Sequence, residues 1–159
     1  MKYVFTDTDE SGFEEYDIEK DEYLSLLKIC FRYSSTVSFR IWNEEVTALQ
    51  SLAKFRIPPT EKCVEAYSHY YKSLDHMALK EIRHYILSDE VKNYVLSVTD
   101  SIFGWINGWG YHNPEDICFY RHDGSIFFSS VIHDGICCLD VGEDEDADEI
   151  LKNKLWRPY

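Results

Sequence analysis

The chain has no apolar stretch approaching the ~20 residues of a membrane-spanning helix. Its opening, Met1 to Asp7, carries too short an apolar run for a signal peptide. It has no Gly-x-Ser-x-Gly elbow, which excludes the serine hydrolases built on that strand-to-helix turn. Walker A and Gly-x-Gly-x-x-Gly loops are also missing; Gly104, Gly108 and Gly110 stand at other spacings and follow a predicted helix rather than a strand. The five cysteines, Cys30, Cys63, Cys118, Cys137 and Cys138, are odd in number and contain no Cys-x-x-Cys pair, which argues against structural zinc. Cys137 and Cys138 point to opposite faces of a predicted strand and cannot easily bridge each other. Free cysteines on apolar faces suit a reducing compartment, so the expectation is a cytoplasmic protein with no cofactor and no metal. Disorder is excluded by an aromatic content of 16%. With no linker long enough to divide it, the chain reads as a single domain over residues 1–159.

Positive charge is the other shortage: sixteen Lys and Arg face twenty-nine Asp and Glu, for a net charge of −13. Residues 7–22 hold nine acids against Lys20 alone, and residues 140–149 hold seven against no base. Between them, residues 23–139 carry thirteen acids and eleven bases, so the excess sits on the flanks. Such a surface repels nucleic acid and anionic membrane and steers a basic protein partner toward itself. The plainer reading of charge runs is solubility. The candidate partner-binding residues are Asp140, Glu143, Asp144, Glu145, Asp146, Asp148 and Glu149, with Asp7, Asp9, Glu10, Glu14 and Glu15 from the other run. Trp109 and Tyr111 join them from the aromatic loop Trp105 to Asn113, because Trp and Tyr dominate interface hot spots. Packing of that loop in the core is the competing reading.

Periodicity is abundant. Residues 114–141 read as three β-strands joined at Asp123-Gly124 and Asp134-Gly135, a dipeptide suited to type I′ turns, with Ser125 to His133 as the central strand. Both faces of this meander are apolar, so both need cover. Tyr3 to Phe5 could add an edge strand. Upstream, helical spacing prevails: Tyr23, Leu24, Leu27 and Cys30 or Phe31 mark a helix of about four turns, and Asn43 to Lys54 a shorter one. Thr36 to Ile41 invites either a strand or an irregular continuation. After the break at Pro58-Pro59, Thr60 caps a helix through Cys63, Tyr67, Tyr70, Leu74 and Met77, with Leu79, Ile82 and Ile86 continuing its apolar side. A further helix capped at Ser88 runs through Val91, Val95 and Val98 toward Ile106. The expected fold is therefore α+β: a predominantly helical N-terminal two-thirds packed on a C-terminal three-stranded antiparallel β-meander, with a short C-terminal helix.

Little points to catalysis. His69 and His76 lie seven apart, wider than the i and i+4 spacing a helix-borne metal prefers. His122 and His133 precede turns at opposite ends of the meander and cannot share an ion. Ser129-Ser130 sits mid-strand without an elbow. Paired carboxylates are numerous but cluster in predicted loops, away from an apolar pocket that would tune them.

The stretch Leu27 to Ser34 running on to Val37-Ser38-Phe39, and the meander opening Pro114 to Tyr120 with its Asp-Gly turn, resemble small acidic bacterial immunity proteins of polymorphic or contact-dependent toxin systems. The resemblance covers about a third of the chain and lies at core positions, so it transfers no functional residue. It implies a non-enzymatic inhibitor whose partner is a cognate toxin domain, basic and in one version a nuclease, blocked by charge-complementary occlusion. Two other readings compete: a regulatory or scaffolding domain, homodimeric through the second apolar face of the sheet, and a carboxylate- or histidine-based hydrolase.

Overall fold

Segments of alternating large apolar and small or polar residues from both ends of the chain and from its middle join into one extended sheet. A computed structural model describes residues 1–8, 11–12, 15–41, 47–63, 82–108, 111–152 and 156–159. Its strands are β1 (Lys2–Thr6), β2 (Thr36–Arg40), β3 (Arg56–Ile57), β4 (Ile82–Ile86), β5 (Asn107–Gly108), β6 (Tyr111–His112), β7 (Glu115–Tyr120), β8 (Ile126–Val131), β9 (Ile136–Asp140) and β10 (Arg157–Pro158). Eight of them form a sheet in the order β10-β1-β9-β8-β7-β2-β4-β3, and β5 and β6 form a separate ribbon. Every pairing is antiparallel. Helices α1 (Lys20–Tyr33) and α2 (Asp89–Val98), 3-10 segments at Thr47–Phe55, Ile102–Gly104 and Ile132–Asp134, and a single turn α3 (Ala147–Ile150) are the other described elements.

This corrects the expectation of a predominantly helical N-terminal two-thirds. The meander exists as β7, β8 and β9, but it is the middle of a larger sheet, flanked by β1 on one side and by β2, β4 and β3 on the other. Ile82 and Ile86 illustrate the error. A spacing of four residues returns to the same face in a helix and in a strand alike, and here the pair belongs to β4, whose Tyr85 and His84 are buried on alternate faces. Thr36 to Arg40, left open between two readings, is β2, with Val37 and Phe39 fully buried. The predicted helix following Thr60 falls largely on residues 64–81, outside the described residues; Thr60 does cap its first turn, accepting from the Cys63 amide at 3.2 Å. The helix capped by Ser88 forms as α2 but stops at Val98, where Thr99 turns extended.

Helices cover the first face of the sheet. Tyr23, Leu26, Leu27 and Cys30 of α1 and Val91 and Val95 of α2 share one cluster with Phe5, Val37, Phe39, Ile117, Phe119, Phe128 and Leu139. The loop tryptophan Trp105 lies at its heart, stacked on Phe39 with ring centroids 5.5 Å apart, and its indole Nε1 donates to the Tyr23 hydroxyl at 2.7 Å. Without that acceptor the buried N–H would be left unsatisfied, at a cost of about 1–3 kcal/mol. A smaller cluster of Cys63, Cys118 and Tyr120, with Ile82 and Ile126 against it, occupies the second face. Strand β8 does not alternate cleanly: the register shifts beside Tyr120, and both Phe127 and Phe128 join the main core.

The two Asp-Gly turns are not the mirror-image type, since only the glycine of each takes positive φ, +83° at Gly124 and +61° at Gly135. A 3-10 turn, Ile132–Asp134, precedes Gly135. There the Asp7 carboxylate packs on the backbone so closely that a Cβ on Gly135 would lie 2.1 Å from Asp7 Cγ. Gly135→Ala should therefore destabilise the protein by at least the roughly 1–2 kcal/mol of a left-handed non-glycine residue. Asp7→Ala in the same chain should recover only the steric part. Denaturant midpoints of the two variants check both statements, and a silent Gly135→Ala would contradict them.

Candidate functional site

The C-terminal acidic run is partly absorbed by the fold. Arg121, at the end of β7, donates from Nε and Nη2 to the two carboxylate oxygens of Glu145 at 2.7 and 2.8 Å, and Glu145 also accepts the Gly142 amide at 2.7 Å. The same guanidinium donates to the carbonyls of Ile126, at 2.7 Å, and Asp140, and lies over the Phe127 ring at 5.2 Å. Burial pushes the Glu145 carboxyl upward, but the Arg121 and Gly142 bonds outweigh it and hold the group below its usual range. Glu149 is paired with Arg32 of α1, and Asp146 caps α3 by accepting the Glu149 amide at 3.0 Å. Asp140 stands 3.6 Å from the N-terminal ammonium. Glu143, Asp144 and Asp148 project to solvent from this pinned loop.

The other acidic run lies at the opposite end of the strands. Register pairs Lys2 with Asp140 and Thr6 with Ile136, so Asp7 follows β1 toward the β8-β9 turn, about five residues, or roughly 17 Å, from Asp140. Asp7 lies against Gly135, Glu15 is exposed, and Asp17 accepts the amides of Ile18 and Phe103 at 2.7 and 3.3 Å. The predicted residues are therefore not one surface. Asp9, Glu10, Glu14 and Trp109 lie outside the described residues; Tyr111 belongs to β6.

Two arrangements escaped sequence reasoning. At the start of β7 four ionisable side chains meet: His133 Nε2 stands 3.1 Å from Glu115 Oε2, and Arg40 Nη1 3.7 Å from Asp116 Oδ2. Asp116 takes φ +50° at a bulge against β2 and accepts the Ile132 amide at 2.9 Å. Burial raises its pKa, opposed by that amide and by Arg40. Glu115 and Asp116 are 0% and 4% exposed, so the cluster fastens the β8-β9 turn onto β7 rather than presenting carboxylates to a substrate.

The second arrangement is a rung of the second face. Pairing registers align Val4, Cys138, Ser129, Cys118, Ser38, His84 and Ile57 across seven strands. The Ser38 hydroxyl bonds the Tyr120 hydroxyl at 2.9 Å, and the His84 ring lies 5.2 Å from the Tyr120 ring. Cysteine, serine and histidine in one row suggest nucleophilic chemistry, but the electrostatics oppose it. Burial drives the Cys118 thiol far up and the His84 imidazole down to about 4, so both stay neutral. They are also two strand spacings apart, about 10 Å, beyond hydrogen-bond reach. The signal was present as small residues alternating with large ones, as in Val37-Ser38-Phe39 and Ile117-Cys118-Phe119; the register that aligns them has no local signal.

Among the described residues no group of three or more His, Cys, Asp or Glu is disposed to hold a metal ion. None of the described helices is long and apolar enough to cross a membrane. No protein-family model, curated protein or solved structure matches the chain.

Ser129 Oγ is buried and makes no hydrogen bond. Ser129→Ala should thus be neutral or stabilising, whereas Ser130→Ala, which loses a 3.0 Å bond to the Ile117 carbonyl, should cost about 1 kcal/mol. Equal losses in thermal melts would contradict the assignment. The His84 imidazole makes a pH prediction. Its folded-state pKa of about 4 lies below the ordinary 6.5, so the stability of burying the neutral ring is complete above about pH 6.5 and is lost as pH falls toward 4. The slope is at most about 1.4 kcal/mol per pH unit. His84→Gln should flatten the denaturant-midpoint profile between pH 7 and 4.5; an unchanged slope would assign it to other groups.

Proposed function

We propose that this protein is an immunity-type inhibitor that binds a basic toxin domain and neutralises it by occlusion, without catalysis of its own. The observation carrying the reading is that Arg121 and Arg32 hold the C-terminal acidic loop through Glu145 and Glu149, while Glu143, Asp144 and Asp148 face solvent. Acids that serve solubility alone need no fixed geometry. Acids held on a rigid loop lose little conformational freedom when a partner docks, and their field accelerates encounter with a basic surface. The segments that carry the resemblance to immunity proteins also come together here: Leu27 to Ser34 lies mostly in α1, Val37 to Phe39 in β2, and Pro114 to Tyr120 runs into β7, which pairs with β2.

The reading separates two classes of acid. Reversing Glu143, Asp144 and Asp148 to Lys together should slow association with a basic toxin domain that the protein binds by about tenfold or more at low salt, with dissociation little changed. Glu145→Lys should instead lower thermal stability, because it sets a cation against Arg121. Stopped-flow association at low and high salt and melting curves of the same variants check this. An association rate indifferent to all three reversals would sink the charge-steered reading.

A further inference from the structure

Arg32, Arg40 and Arg121 each pair with a carboxylate. Two further arginines, at the β3-β4 margin of the sheet, are joined through a hydroxyl instead. Register sets Arg56 of β3 opposite Tyr85 of β4, and Arg83 stands two residues before Tyr85 on the same strand. All three side chains therefore leave the same face, and the two arginines are diagonal cross-strand neighbours about 7–8 Å apart at the backbone. The Arg83 guanidinium hydrogen-bonds the Tyr85 hydroxyl; burial pushes that hydroxyl's pKa up, and Arg83 and Arg56 oppose the shift. Tyr85 is 1% exposed and packs against Phe39 with ring centroids 5.8 Å apart, so it holds Arg83 from within the core. Arg56 is exposed and Arg83 half-buried, and among the described residues neither pairs with a carboxylate. Lys54, two residues before Arg56, adds positive charge, its Glu90 partner being exposed and 3.9 Å away.

We propose that Arg56 and Arg83 together clamp one carboxylate group of a bound ligand, with the Tyr85 hydroxyl fixing the orientation of Arg83. A guanidinium carries five N–H donors in a planar fork suited to a carboxylate, and a single hydroxyl oxygen occupies only part of the Arg83 fork. Two like charges on one face repel, and an oxyanion between them turns that repulsion into two attractions. A carboxylate fits better than a phosphate, because a dianion meets the field of a chain with net charge −13 twice over. Keeping foreign strands off the margin does not account for the pair, since β3 runs directly into Pro58-Pro59, which already lack backbone donors. The site lies on the outermost strand, five positions from β9 and its acidic loop, and does not depend on the inhibitor reading.

Titration of the full-length protein with acetyl-Gly-Glu-Gly-amide and with acetate, at an ionic strength held constant with chloride, tests the clamp through the arginine Nε–H signals of proton-nitrogen NMR spectra. The Arg56 and Arg83 signals should shift and saturate, while that of Arg32, already paired with Glu149, stays in place. Acetyl-Gly-Gln-Gly-amide, of the same shape without the charge, should bind at least fivefold more weakly. A peptide tighter than acetate assigns the clamp to an acidic side chain of a partner, and equal affinities assign it to free carboxylates; either result supports it. Arg83→Lys keeps the charge but loses the fork, and should weaken the Glu peptide at least fivefold. Tyr85→Phe should weaken it likewise by releasing Arg83; its melting curve shows whether the fold is kept, and where it is not, Arg83→Lys decides. Three results overturn the proposal: no saturable shift at Arg56 and Arg83, as when a carboxylate of this chain already fills the clamp; equal binding of the Gln peptide; or inorganic phosphate binding more tightly than the Glu peptide.

Discussion

The guanidinium of Arg121 sits where the three central strands end and the acidic loop begins, and the geometry of that end of the molecule depends on it. One side chain reaches the β8 carbonyl of Ile126, the β9 carbonyl of Asp140, the ring of Phe127 and both oxygens of Glu145. Lysine could not replace it, because a point charge cannot address two strands and a carboxylate in one plane. Glu145 in turn closes the turn at Gly142, so the direction in which residues 143–149 leave the sheet is set by a half-buried ion pair rather than by a solvated tail. That pair is shielded enough to matter: the Glu145 side chain is 11% exposed, far from the regime in which surface ion pairs contribute nothing measurable.

Legibility in the sequence followed the physics of each element. The meander was readable because Asp-Gly breaks separate three apolar runs over residues 115–140, although neither turn is of the expected mirror-image type, and α1 because Tyr23, Leu27 and Cys30 recur at helical spacing behind acids in its first turn, although Leu24, read on the same stripe, is 38% exposed and Leu26 is buried instead. The extent of the sheet was not. Strand β4 carries Ile82 and Ile86 four apart, in phase with both periods, so local spacing could not decide, and its partners β2 and β3 are far away in sequence. Strands β3 and β10 are two residues long, below any periodic signal, and exist only because a neighbour's edge is available. Both bring proline to the sheet margins, Pro58-Pro59 directly after β3 and Pro158 within β10, which removes donors where another chain could add a strand.

The site was legible in composition and illegible in arrangement. Two acidic runs could be seen at once, but which members are held by the fold depends on cations that only the tertiary structure places beside them: Arg121 beside Glu145, Arg32 beside Glu149, the N-terminal ammonium beside Asp140. The polar rung has the same origin. Ser38, Cys118 and Ser129 are each unremarkable in their own strands, and they align only once the bulges beside Ser38 and Tyr120 set the registers. Where the aromatic loop was offered as a contact surface, Trp105 is instead fully buried against Phe39, which supports the packing reading for that residue.

Excess negative charge confined to two flanks poses a problem that the fold addresses in two ways. A net charge of −13 on 159 residues favours expansion through self-repulsion, and the repulsion is worst where like charges are adjacent in sequence, at residues 7–22 and 140–149. The strand order sends the start of one run and the start of the other to opposite ends of β1 and β9, which keeps the densest charge apart by more than a Debye length at physiological salt, about 8 Å. Glu149, the last acid of the C-terminal run, is paired with Arg32 at the end of α1, so a cation stands beside it. Charge that had to be separated to fold is in this way also presented on two distinct surfaces. A partner complementary to one of them need not match the other.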